Sequence, residues 1–105
     1  MIIKEIINGV EVILETGNYY FSPKCIDKGT LLMLDIVQVS ATDKVLDLGC
    51  GYGVVGIYIA KRIGGEKVVM SDVLVDAIAL TCKNLELNNI DNVKVIKSDG
   101  LKNVI

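Results

Sequence analysis

The chain has 105 residues, of which 51% are hydrophobic and 23% charged, and its formal net charge is −2. This length allows one domain with a modest core, and the composition is that of a folded chain rather than a disordered one. The charge balance lacks the basic excess that phosphate binding demands, and the absence of histidine removes the commonest general base and metal ligand.

Ile2 to Ile7 and Val10 to Glu15 are β-branched runs separated by Asn8-Gly9, the dipeptide best suited to a two-residue type I′ turn. They predict a hairpin that covers one side of the core or joins a partner. Gly17-Asn18 breaks the pattern, and Tyr19-Tyr20-Phe21 follows as a short aromatic strand. Three rings in a row could stack on bases, but alternate strand side chains point to opposite faces, so packing is the better-supported role. Pro23 biases Ser22 away from helix. Asp27 is placed to cap a helix over residues 28–39, with Leu31, Leu32, Leu34, Ile36 and Val39 forming a broad apolar surface. Gly29 and Thr30 fall in its first turn, where a hydroxyl serves either a ligand or ordinary capping.

A polar link over residues 40–43 leads to Lys-Val-Leu-Asp-Leu-Gly-Cys-Gly-Tyr-Gly, residues 44–53. Val45, Leu46 and Leu48 read as a short buried strand, which Gly49, Gly51 and Gly53 turn into a helix over residues 54–63. Gly64-Gly65 stops that helix, after Lys61 and Arg62 at the negative end of its dipole. A second strand is predicted over residues 66–71, its Val68-Val69-Met70 core continuous as in a strand covered on both faces, with Asp72 closing it. Leu74, Ala77, Ile78, Thr81 and Leu85 mark an amphipathic helix that ends near Asn88-Asn89, with Cys82 just off the stripe as a packing residue. A third strand over residues 93–97 ends in Ser98-Asp99-Gly100. Successive βα units predict an α/β chain, a Rossmann-like parallel sheet preceded by an N-terminal β-hairpin.

The glycine turn is the natural ligand site, because a ligand reaches backbone only where no Cβ intervenes, and the next helix starts with unpartnered N–H groups. Gly51-x-Gly53-x-x-Gly56, with Asp72 a little under about 20 residues beyond Gly53, matches the dinucleotide fingerprint. Asp47 opposes that reading, since a pyrophosphate would meet its negative charge at short range. A cationic nucleoside such as S-adenosylmethionine would be attracted instead. Asp47 could alternatively cap an N–H group, and Asp72 could cap the following helix instead of accepting ribose hydroxyls. Asp99 makes a third acid at a strand end, or is a turn acid before glycine.

Asp47-Leu48-Gly49-Cys50-Gly51-Tyr52-Gly53 resembles the first motif of the class I S-adenosylmethionine-dependent methyltransferases. Phe21-Ser22-Pro23 and Asp27-Lys28-Gly29-Thr30 narrow the likeness to the small-domain methyltransferases related to the ribosomal RNA guanine-N2 enzymes. The resemblance runs from about residue 19 to the end. It implies a partial class I methyltransferase fold, with residues 1–21 as hairpin and aromatic strand and residues 22–105 as a truncated cofactor-binding domain. It places S-adenosylmethionine against Phe21, Thr30, Asp47, Gly49, Cys50, Gly51, Tyr52 and Gly53. The ribose falls to Asp72 and Val73, and the adenine to Ser98, Asp99 and Gly100. In related enzymes the next strand ends in an Asn-Pro-Pro-Tyr type motif that holds the target amine. This chain lacks that motif, so no catalytic residue is assigned.

The implied parent enzyme methylates a guanine amine in ribosomal RNA, with RNA gripped elsewhere because no basic patch is evident here. The alternatives are a non-catalytic Rossmann-like fragment or scaffold and half of a nicotinamide-dependent oxidoreductase. A strand order of third, second, first would leave the glycine-turn strand at a sheet edge, so self-association through that edge is expected. Cys25, Cys50 and Cys82 are odd in number without C-x-x-C spacing and read as reduced thiols. No signal peptide or membrane span is evident, which makes the cytoplasm the expected compartment.

Overall fold

The computed structural model describes residues 2–17 and 28–104. Phe21, Pro23, Cys25 and Asp27, with the roles expected of them, lie outside the described residues. The order is β1 (Ile2–Ile7), β2 (Val10–Glu15), α1 (Lys28–Ile36), β3 (Val45–Leu48), α2 (Val54–Ile63), β4 (Val68–Asp72), α3 (Val75–Leu87) and β5 (Lys94–Lys97).

The hairpin has the predicted turn: Asn8 and Gly9 both take positive φ, at 49° and 80°, as type I′ requires. Ile7 pairs with Val10 and Ile3 with Leu14. One face buries Ile7, Val12 and Leu14, while Ile2 and Ile6 on the other are exposed. The buried face packs on α2 and α3. The turn is tied down further by Asn8, whose Nδ2 donates to the Leu34 carbonyl at 3.1 Å and the buried Tyr58 hydroxyl at 3.0 Å. Arg62 completes that knot, donating to Tyr58 Oη at 2.8 Å with its guanidinium 5.7 Å from the ring centroid.

The parallel sheet has the order β3-β4-β5, which leaves the glycine-turn strand at one edge, as expected. Val45 and Asp47 lie beside Val68 and Met70, and Leu46 and Leu48 beside Val69 and Ser71. Met70 lies against Gly56 of α2: a Cβ there would fall 2.6 Å from Met70 Sδ. Leu46 and Leu48, on the opposite face, are 39% and 54% exposed, so β3 is not the buried strand expected from sequence but is covered on one face only.

Two boundaries and one buried face differ from the sequence reading. The first helix stops at Ile36 rather than running through residue 39, and only Leu34 of its apolar surface is buried. The second strand begins at Val68, because Gly65–Lys67 form a 3-10 turn after Gly64 at φ 102°. In α3, Leu74 and Cys82 are exposed, while Asn84 and Asn88 are buried. Cys82 is therefore a surface thiol rather than a packing residue.

Candidate functional site

The carboxyl ends of β3 and β4 meet at the glycine turn. Gly49, Gly51 and Gly53 take φ of 71°, 58° and 101°, a region that side-chain-bearing residues rarely enter. The glycines divide by what surrounds them. A Cβ on Gly53 would press on Ile57, Met70 and Thr81, and one on Gly56 would strike Met70, so those two serve packing. A Cβ on Gly49 or Gly100 would meet nothing within 4 Å, so these backbones face open space.

Asp47 enters from β3 and its Oδ2 accepts the Gly56 N–H at 3.0 Å, in the first turn of α2. The residue preceding α2 is Gly53, with no side chain to cap it, so the strand supplies the cap that the helix lacks. Burial raises the Asp47 pKa above the ordinary carboxylate value; the Gly56 hydrogen bond opposes this, and the negative charge of Asp72 adds to it. Asp47 and Asp72 thus share one electrostatic environment.

Asp72 binds the turn directly. Its Oδ2 accepts the Gly51 N–H at 3.0 Å and its Oδ1 accepts the Leu74 N–H at 3.0 Å. The second bond is an Asx turn leading into α3, so the capping alternative and the turn-binding role coexist. Each oxygen retains a lone-pair site, since a carboxylate accepts about four hydrogen bonds.

The other predicted residues occupy varied positions. The Cys50 N–H donates to the Ser71 carbonyl at 2.8 Å, and its sulfur lies 3.3 Å from Thr81 Oγ1. Burial pushes the Cys50 thiol up to about 11, so it stays protonated and is no nucleophile. Tyr52 is buried, and Val73 is exposed. The Ser98 N–H donates to the Asp72 carbonyl at 2.9 Å, which sets the end of β5 beside that of β4. The Ser98 hydroxyl donates to the Gly100 carbonyl at 2.8 Å and accepts the Asn103 N–H at 2.9 Å. Asp99 points outward and forms an exposed pair with Lys102 at 3.4 Å. Thr30 is partly buried in the first turn of α1, and the described packing of that helix runs to β1.

Sequence reasoning put Thr81 on the packed stripe of α3 but missed Asn84 and Asn88, which continue it as a polar face. Asn84 donates to the carbonyls of Tyr52 at 2.6 Å and Glu15 at 2.9 Å, and accepts the Glu15 N–H at 2.7 Å. Asn88 makes the same pair of contacts with Ile13, at 2.6 and 2.9 Å. A readable signal existed: the two asparagines are four residues apart on the face that carries Thr81 and Leu85. Among the described residues, no group of three or more Cys, Asp or Glu side chains could hold a metal ion. No described helix is long and apolar enough to cross a membrane.

A parallel sheet whose strands end at a bare glycine turn beside two carboxylates, with helices between the strands, defines a Rossmann-like α/β domain. The chain belongs to the methyltransferase small domain family, whose model matches residues 9–105. It is 38% identical over 85 residues to the uncharacterized protein YbxB of Bacillus subtilis, covering 80% of this chain and 42% of that protein. It is 33% identical over 98 residues to ribosomal RNA small subunit methyltransferase C of Colwellia psychrerythraea, covering 93% of this chain and 27% of that enzyme. In three dimensions it resembles the Thermus thermophilus 16S rRNA N2 G1207 methyltransferase solved with AdoMet and guanosine. The TM-score is 0.83 and the identity 26%, over all of this chain and 29% of the other. The chain thus spans less than half the length of each of these proteins.

Proposed function

We propose that this chain is the S-adenosylmethionine-binding part of a methyltransferase that acts on a guanine exocyclic amine in ribosomal RNA. The observation that carries this reading is the Asp47–Asp72 pair of carboxyl groups around the glycine turn, a setting that suits a sulfonium nucleoside better than a pyrophosphate. The family, the ribosomal RNA methyltransferase relative and the similar structure solved with AdoMet and guanosine support the same reading.

The site fits such a cofactor on its own terms. The remaining acceptor sites of Asp72 can take the two ribose hydroxyls while the residue keeps its bonds to Gly51 and Leu74. The open backbones at Gly49 and Gly100 leave room for the ligand on both sides of Asp72. Ser98 holds the Gly100 carbonyl, fixing the bend where the resemblance places the adenine. When bound, S-adenosylmethionine supplies an electrophilic methyl group for in-line transfer, and this chain's part is to hold and orient it. RNA contact, an acceptor amine pocket, pairing of copies along the β3 edge and a cytoplasmic setting belong to the same proposal.

Calorimetric titration with S-adenosylhomocysteine tests the reading. Binding is expected, and Asp72→Asn should weaken it by about 10- to 100-fold, the worth of one or two hydrogen bonds to a charged acceptor. NADH, as the competing ligand, should release no heat. No binding of S-adenosylhomocysteine at millimolar concentration, or tighter binding of NADH, would overturn the proposal.

A further inference from the structure

We propose that Thr81 and Asn84 are positioning residues that set the backbone of the glycine turn, and that Asn84 couples the turn to the N-terminal hairpin. This deepens the cofactor reading above and rests on it. The Thr81 hydroxyl donates to the Gly51 carbonyl at 2.9 Å, lies 3.3 Å from Cys50 Sγ, and sits 3.3 Å from where a Cβ on Gly53 would be. One turn of helix further along, Asn84 Nδ2 takes the next carbonyl, that of Tyr52, at 2.6 Å. Both side chains are fully buried.

Two consecutive carbonyls are thus drawn into one face of α3. A trans peptide is planar, with its C=O and N–H on opposite sides. Fixing the Gly51 and Tyr52 carbonyls toward α3 therefore turns the N–H groups of Tyr52 and Gly53 away from it. The Gly53 N–H accordingly closes the turn onto the Cys50 carbonyl at 2.9 Å. Gly51 is gripped from both ends, its N–H by Asp72 and its carbonyl by Thr81. The acid offered to the ribose and the hydroxyl under the turn are therefore joined through a single residue. Asn84 extends the chain outward, since the same carboxamide that holds Tyr52 also pairs with both backbone groups of Glu15 at the end of β2.

Asn88 provides an internal control. It pairs with both backbone groups of Ile13 as Asn84 does with those of Glu15, and its side chain bonds to β2 and to the Asn84 carbonyl rather than to the turn. Loss of Asn88 loosens the hairpin without releasing a turn carbonyl.

The test uses the whole chain and two readouts: the amide resonances of Gly51, Tyr52 and Gly53 without ligand, and titration with S-adenosylhomocysteine. Thr81→Val and Asn84→Asp should move those resonances and weaken binding at least tenfold. Thr81→Ser, which restores the donor, should bind within about twofold of the parent, as should Asn88→Asp. Unmoved resonances with parental binding in Thr81→Val and Asn84→Asp would overturn the proposal. So would equal weakening by Asn88→Asp, or failure of Thr81→Ser to rescue. If the parent chain itself binds nothing, the cofactor reading falls and the resonances alone decide: movement in Thr81→Val reversed in Thr81→Ser supports positioning, and no movement refutes it. If Asn84→Asp does not fold, the Thr81 pair carries the decision.

Discussion

Helices α1 and α3 invert the usual rule of polar outside and apolar inside. α1 buries Leu34 and exposes Leu32, Met33 and Ile36, with Val37 just beyond it also exposed. α3 buries Thr81, Asn84 and Asn88 among apolar neighbours and leaves Val75 in solvent. The difference lies in what each helix faces. α3 lies against the outward N–H and C=O groups of β2 and the carbonyls of the glycine turn, and a buried backbone group is costly unless a partner meets it. Only short amide and hydroxyl side chains meet that demand. α1 meets the hairpin through Leu34 and Asn8 and packs Leu31 partly against the core, while Leu32, Met33 and Ile36 face outward.

If this account holds, the polar stripe should be the most sensitive part of the molecule. Asn84→Leu removes three hydrogen bonds and strands groups of Glu15 and Tyr52. It should cost about 3 kcal/mol, more than about 10 °C in Tm for a domain of this size, measured by thermal melting. The packed layer beside it should resist added volume next. Gly56→Ala gains roughly 1 kcal/mol of helix propensity but drives Met70 out of place, for a net loss of about 1 kcal/mol in urea titration.

Asp47 offers a sharper test, because its effect reverses in sign. Its folded pKa lies above the unfolded value, so the folded chain holds the proton more firmly and stability falls as pH rises through that window. Asp47→Asn keeps an acceptor for the Gly56 N–H and sheds the charge. Its Tm near neutral pH should exceed the parent's, the gain fading as pH falls through the raised folded pKa and vanishing by the ordinary carboxylate value of about 3.8. The smallest effect belongs to α1: Ile36→Ser should change stability by less than about 0.5 kcal/mol in the same assay. A large loss there would show that the outer face of α1 is packed after all and would break the comparison.

Much of this was legible in the chain itself. Asn8-Gly9 specified its turn, the βα alternation specified the sheet order, and the spacing of Asp47, the glycines and Asp72 placed two acids at adjacent strand ends. What escaped was long-range. Nothing local to Asn84 says that a strand some 70 residues earlier presents its edge there, and helical periodicity counts asparagine as polar and therefore outside. The end of α1 differs for a related reason: apolar periodicity runs on through Val39, which packs partly against the core although the helix has already ended at Ile36. Asp99 matched the motif by position, yet it lies outward in a solvent pair with Lys102.

The outer rail of β2 is closed by side chains alone. Lys61 holds the Glu11 carbonyl at 2.6 Å, Asn88 holds Ile13, and Asn84 holds Glu15. In an antiparallel pair of this register the remaining outward groups are those of Ile2, Lys4 and Ile6 on β1. Among the described residues the edge left open to a further strand is therefore that of β1, and a strand added there leaves the link between hairpin and glycine turn undisturbed.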